Sequence, residues 1–175
     1  EKILYKNISY NQERPWQSVL PAFTNSIEQL VEFPSNEEEG GAIVTIAWRL
    51  CPWNDFFTKA AIYILWSYLT DSAVSALQKE FVEIEDPLCG DITFSLNDAS
   101  ECAHYITFKN VVTEKINSIK PAFFETLERI VEEGLDMKRM QSVIKQRRVR
   151  HLSGIEEDPH STFSTDLITD FLYSS

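Results

Sequence analysis

Glycine is scarce in this sequence, cysteine scarcer, and cations are outnumbered. Five glycines in 175 residues form no G-x-G-x-x-G, no G-x-x-x-x-G-K-[ST] and no G-x-S-x-G, so no known phosphate cradle or nucleophile elbow is present. The one adjacent pair, Gly40-Gly41, follows three glutamates, a poor setting for a phosphate. Cys51, Cys89 and Cys102 are odd in number and lack a C-x-x-C, which points away from a disulfide framework or zinc ribbon and towards a reducing, cytoplasmic setting. Asn7-Ile8-Ser9 fits the glycosylation acceptor pattern, but three-residue patterns recur by chance. The most apolar window, Ala60 to Leu69, is about half the length of a membrane span, so no membrane association is expected. With 16 Lys and Arg against 27 Asp and Glu, a formal net charge of −11 and a pI near 4.7, the chain is no general binder of phosphate backbones.

What is present is a foldable composition. Hydrophobic residues make up 43% and aromatics 12%, too rich for disorder, and the length suits one domain. Residues 1–25, with Pro15 and Pro21 and no clear period, read as an extended lead-in or linker, and 26–175 as a single domain. The chain opens on Glu and closes in what reads as an unfinished helix, so it is expected to be part of something longer.

Within that domain, Ser26–Phe33 and the β-branched run Ala42–Leu50 suit a hairpin of two strands around the turn PSNEEEGG. Phe56–Thr70 carries Phe57, Ala60, Ala61, Ile64, Leu65, Tyr68 and Leu69 at helical spacing, with Asn54 or Asp55 to cap it. Val74, Leu77, Phe81 and Ile84 continue the rhythm until Pro87 stops it near Glu83 to Glu85. DITFSLN and ECAHYITF alternate around LNDAS, a second hairpin. From Thr113 a helix carries Ile116, Ile119, Phe123, Leu127 and Ile130, kinked or restarted at Pro121 and closed by a left-handed cap at Gly134. Another opens at Asp136 and ends near Ser153-Gly154; a last begins around Pro159 with Phe163, Leu167, Ile168, Phe171 and Leu172. The order ββαα, ββ, ααα predicts an α+β domain, an antiparallel or mixed sheet with helices mainly on one face.

No constellation carries evident chemistry, and no catalytic, cofactor-binding or metal-binding residue is assigned. Glu80, Glu83, Glu85, Asp86 and Asp91 crowd around Cys89 but lack EF-hand spacing, and a solvated helix face is the simpler reading. His104, His151 and His160 form neither H-E-x-x-H nor H-x-x-E-H, and His104 inside a strand reads as a packed or hydrogen-bonded side chain. The run from Lys138 through Arg139, Lys145, Arg147 and Arg148 to Arg150 contains no acid. It reads as a wet or intramolecular helix face, and alternatively as the grip of a free-standing protein- or RNA-interaction module, although no aromatics interleave its charges.

Four phrases taken in order resemble one domain of the pitrilysin/insulinase family of zinc metallopeptidases: AIVTIAWRL, LQKEFVEIEDPLCGDITFSL, the strand ending FKNV, and FFETLERIVEEGLDMKRMQSVI. The nearest likeness is to large fungal members of cytosolic type. The resemblance runs from about Ile27 to Tyr173 and implies a LuxS/pitrilysin-like metallopeptidase fold, one of four domains closed as a clamshell around a peptide chamber. In that family the first domain holds zinc through H-x-x-E-H, and the fourth offers substrate an arginine and a tyrosine in L-R-E-x-x-G-L-A-Y. Phe81-Val82-Glu83 stands at L-R-E and Cys89 at the tyrosine, so both gripping residues are replaced. The resemblance therefore implies a non-catalytic second domain of the N-terminal half. Its zinc would be in the parent's first domain, its partners would be the other domains and a peptide substrate, and no nucleic acid is expected.

Overall fold

In a computed structural model the described residues are 21–34, 41–52, 54–97 and 101–173. Three strands and five helices succeed one another: β1 (Ala42–Pro52), α1 (Phe56–Thr70), α2 (Ala76–Phe81), β2 (Asp91–Asn97), β3 (Glu101–Val111), α3 (Ile116–Glu133), α4 (Met137–Glu157) and α5 (Pro159–Tyr173). A 3-10 turn, Thr113–Lys115, leads into α3. The sheet has the order β1-β3-β2 and both pairings are antiparallel. This is the α+β architecture that the alternation and helical periods predict, with no parallel pair among the described residues.

Register decides which side chains meet. Trp48, His104 and Leu96 form one rung across the three strands, Ile46, Ile106 and Phe94 the next, and Val44, Phe108 and Ile92 a third. Side chains alternate between faces along a strand, so these nine share the face that the helices cover. Thr45, Thr107 and Thr93 share a rung on the opposite face, followed by Ala47, Tyr105 and Ser95, a surface of small and hydroxylated groups. Near the end of β3 a bulge places Asn110 at φ 54°. Gly41 lies against it so closely that a Cβ would stand 2.5 Å from the Asn110 Cα, so this glycine serves a backbone crossing.

Helix starts follow local chemistry. Asp55 accepts the Thr58 N–H at 3.0 Å and so caps α1, a bond that holds its carboxyl below the usual range. Asp136 accepts from the N–H groups of Lys138 and Arg139, and the Tyr68 hydroxyl accepts the N–H of Asp136 itself. Gly134 ends α3 at φ 80°, ψ 177°, a fully extended mirror-image conformation rather than the left-handed helical cap expected, and one open essentially to glycine alone.

The structure corrects the sequence in several places. Ser26–Phe33 is not a strand: residues 21–34 have no regular structure, and Ile27, Leu30 and Val31 are exposed. β1 pairs instead with β3, whose strict alternation supplies the matching apolar face that SIEQLVEF lacks. The lead-in is fastened by side chains: Arg49 donates to the Pro21 carbonyl at 2.6 Å and lies over the Phe23 ring, and Lys120 pairs with Glu28. Residues 1–20 and the turn at 35–40 fall outside the described residues. α3 passes Pro121 without a restart, because the proline sits only two turns in and removes a single donor. α4 runs through Gly154 to Glu157, and the stop is Asp158-Pro159, where Asp158 accepts the Ser161 N–H and caps α5. In α1 the apolar stripe is buried only from Trp66 onward; Phe57 is 85% exposed. In α5, Phe163, Leu167, Ile168 and Phe171 are exposed as well.

Helices α1 to α4 meet the sheet in one core, and its centre is aromatic. Phe123 of α3 is fully buried, with ring centroids 5.9 Å from Trp48, 6.2 Å from Trp66 and 5.7 Å from Phe108, so it touches both strands and α1. Truncating it should destabilise the chain by about 3–5 kcal/mol. Urea unfolding of Phe123→Ala beside Val131→Ala, an exposed position on the same helix, checks this; the second change should stay within about 0.5 kcal/mol.

Candidate functional site

The crowd of carboxylates between Glu80 and Asp91 separates in space. The loop after α2 folds back so that the Phe81 carbonyl accepts the Leu88 N–H at 2.8 Å and the Cys89 N–H at 3.3 Å. This turn sends three of the five acids to separate cations. Glu80 pairs with Arg129 at 2.8 Å, Asp91 with Lys109 at 3.4 Å, and Asp86 with Lys115, whose ammonium also donates to the Pro87 carbonyl. Glu83 and Glu85 are exposed. Among the described residues no three His, Cys, Asp or Glu side chains converge as metal ligands would.

Val82 and Cys89, which the sequence resemblance set against an arginine and a tyrosine, pack towards the core. Val82 is half-buried against the core, and Cys89 is 2% exposed within it, with burial pushing its thiol up to about 11. A thiol held protonated in apolar surroundings is neither nucleophile nor metal ligand at neutral pH. Cys51 and Cys102, on neighbouring strands, are also buried and hydrogen-bond to each other, and burial raises the Cys51 thiol.

His104 is packed rather than liganding. Its ring stacks on Trp48 at 4.9 Å and lies 5.8 Å from Trp66 and 6.4 Å from Phe94. Nδ1 is buried without a hydrogen-bond partner among the described residues, and desolvation lowers the imidazole pKa. A neutral ring completes an aromatic cluster here; a charged one would lose its water and gain no counter-ion. The alternation of ECAHYITF puts His104 on the buried face, but nothing local to it shows that Trp48 and Trp66 flank the ring.

The basic run divides by helix face. Arg139 donates to the Tyr68 carbonyl at 2.6 Å and to Ser75 Oγ at 2.7 Å while lying over the Tyr68 ring, so it ties α4 to the end of α1. Arg147 lies 3.4 Å above the Tyr63 ring centroid, and Arg150 reaches Asp71 at 3.4 Å. Lys138, Lys145 and Arg148 face solvent. The first three border a cleft of about 550 Å³ between α1, the turn after it and α4, lined also by Ser72, Val74 and His151. His160 is exposed on α5. Sequence reading set out the cations but missed Tyr63, which lies off the apolar stripe and whose partner is 84 residues away.

A family model described as the peptidase M16 inactive domain matches residues 5–147. An uncharacterised protein of Schizosaccharomyces pombe is 35% identical over 93% of this chain and 16% of its own length. Uncharacterised proteins of Caenorhabditis elegans and Saccharomyces cerevisiae are 28% and 30% identical over 93% and 85% of the chain, and over 16% and 14% of their own lengths. The chain thus spans about a sixth of the length of these relatives.

The environment of His104 fixes a sign for acid sensitivity. The unfolded chain takes up this proton near the ordinary value of 6.5, whereas the folded chain resists it until lower pH. The unfolded state therefore binds more protons in that window, and stability falls as pH drops through 6.5. Chemical denaturation at about pH 7 and about pH 5 should show a larger loss for the wild type than for His104→Phe, which keeps the stack without the titration. Equal losses would contradict a neutral buried imidazole.

Proposed function

This chain belongs to the M16 peptidases, the pitrilysin/insulinase family, as a domain of the inactive type, and from that premise we propose that it walls the peptide chamber of a larger zinc-dependent endopeptidase. The observation that carries the reading is the match across residues 5–147 in a sequence whose three histidines form no H-x-x-E-H. Its place is the second domain of the N-terminal half. The zinc and the reacting groups belong to the first domain, and the other domains of the same polypeptide are its partners. The setting is cytoplasmic; among the described residues no helix is long and apolar enough to cross a membrane.

Two structural features support a wall. The interior commits its polar chemistry to packing, with Cys89 and His104 both in the core and both neutral near pH 7. The sheet face away from the helices carries Thr45, Thr93, Ser95, Tyr105 and Thr107, half-exposed or exposed, with the Thr45 and Thr107 hydroxyls 3.3 Å apart. Small hydroxylated side chains on a flat sheet contact an extended peptide without demanding one sequence, which suits an enclosing surface rather than a specificity pocket.

The isolated 175-residue chain should bind no stoichiometric zinc and show no chelator-sensitive cleavage of a fluorogenic peptide. The full-length gene product should carry H-x-x-E-H on the N-terminal side of this segment and retain about one zinc ion per chain. Metal analysis and peptide cleavage on both proteins provide the check. Zinc-dependent cleavage by the short chain would sink the non-catalytic assignment, and a full-length product without the motif would sink the active parent.

A further inference from the structure

We infer that the cleft between α1 and α4 is a docking site for an acidic stretch of polypeptide. The chain carries a net charge of −11, yet this cleft gathers Arg139, Arg147, Arg150 and His151 against one acid, Asp71. The local field is thus opposite to that of the molecule as a whole, and an acidic segment is attracted here while the surrounding surface repels it.

Arg147 is the centre of the site. Its guanidinium carbon stands 3.4 Å over the Tyr63 ring centroid, a contact that restrains the side chain, and its N–H donors have no acceptor among the described residues. A guanidinium held in place by stacking, with its edge unspent, binds a carboxylate through two parallel hydrogen bonds and sacrifices little side-chain entropy. Arg150 stands one turn further along α4. Its partner among the described residues, Asp71 at 3.4 Å, is an exposed contact that an incoming carboxylate can exchange with. Arg139 is already engaged at the inner end of the cleft with the Tyr68 carbonyl and Ser75, so it lends charge rather than free donors.

Lining and length both favour polypeptide over nucleic acid. Val74 and Val143 offer apolar contact, and Ser72 and Gln146 offer groups for a peptide backbone. Of the two rings lining the cleft, Tyr63 is covered by Arg147 and is not free to stack a base, and His151 is a single small ring, short of the series of platforms a nucleic-acid strand uses. From Arg139 to Arg150 the helix rises roughly 16 Å, the span of about five extended residues. The site is independent of the chamber reading: it requires only this fold, whether or not the parent is an active peptidase.

Fluorescence anisotropy of a fluorescein-labelled decaglutamate peptide with the 175-residue chain tests the site. The expected result is salt-sensitive binding that Arg147→Glu and Arg150→Glu each weaken about tenfold, that Arg147→Lys weakens less, and that Arg148→Glu leaves within about twofold. Arg148→Glu makes the same charge change one residue away on an exposed position outside the cleft, so it separates location from net charge. The inference is overturned if Arg148→Glu weakens binding as much as Arg147→Glu, if decaglutamate does not bind at low salt, or if single-stranded oligouridylate binds more tightly than the peptide.

Discussion

The fold depends on one aromatic interlock. Phe123 of α3 packs against both Trp48 of β1 and Trp66 of α1, which stand 6.5 Å from one another, and His104 of β3 lies against both tryptophans. Each ring comes from a different element, so the cluster sets the helix layer against the sheet in one register. Aromatic pairs at these separations add about 0.5–1.5 kcal/mol each beyond the area they bury. A cluster of several is therefore a large share of the small net stability of a domain. Desolvation among these rings lowers the His104 imidazole pKa, so protonation opposes the interlock and makes it sensitive to acid.

Around that core the charges divide by helix. Glu80, Glu125, Glu128 and Glu132 surround Arg129 in a cleft between α2 and α3, while the cations of α4 turn towards α1. Arg139 explains how the basic helix is held. By donating to the Tyr68 carbonyl in the last turn of α1, it satisfies an acceptor at the end of the helix where the dipole favours a cation. The tie leaves Arg147 and Arg150 on the outer part of the same cleft. Packing and recognition are thus neighbouring positions on one helix.

Membership of the M16 family gives these features a setting. The match is to a domain of the inactive type, and the two positions that the sequence resemblance set against a substrate-gripping arginine and tyrosine belong to the packed interior here. Cys89 lies in the core and Val82 packs against it. An arginine at Val82 would set a guanidinium beside apolar side chains, and a tyrosine at Cys89 would have to fit a ring where a buried thiol now packs.

The amino-acid sequence by itself determined most of the elements, because period and capping are local. β2 and α1 have the bounds that alternation and the cap before Phe56 imply, and Asp136 caps α4, whereas α2 stops at Phe81, short of the end near Glu83 to Glu85 that Pro87 led one to expect, and Val74 and Ile84 stay exposed. Local pattern failed where a neighbour in space decided. Ser26–Phe33 has apolar residues but no partner strand, and Gly154 is carried through α4 because the stronger stop lies at Asp158-Pro159. Only the tertiary structure settled that the carboxylates of residues 80–91 go to three separate cations, that His104 sits in an aromatic cage, and that Arg147 lies on Tyr63. The reason is physical: helix and strand periods are written within a few residues, whereas an ion pair or a ring contact depends on which distant elements the packing of Phe123 brings together.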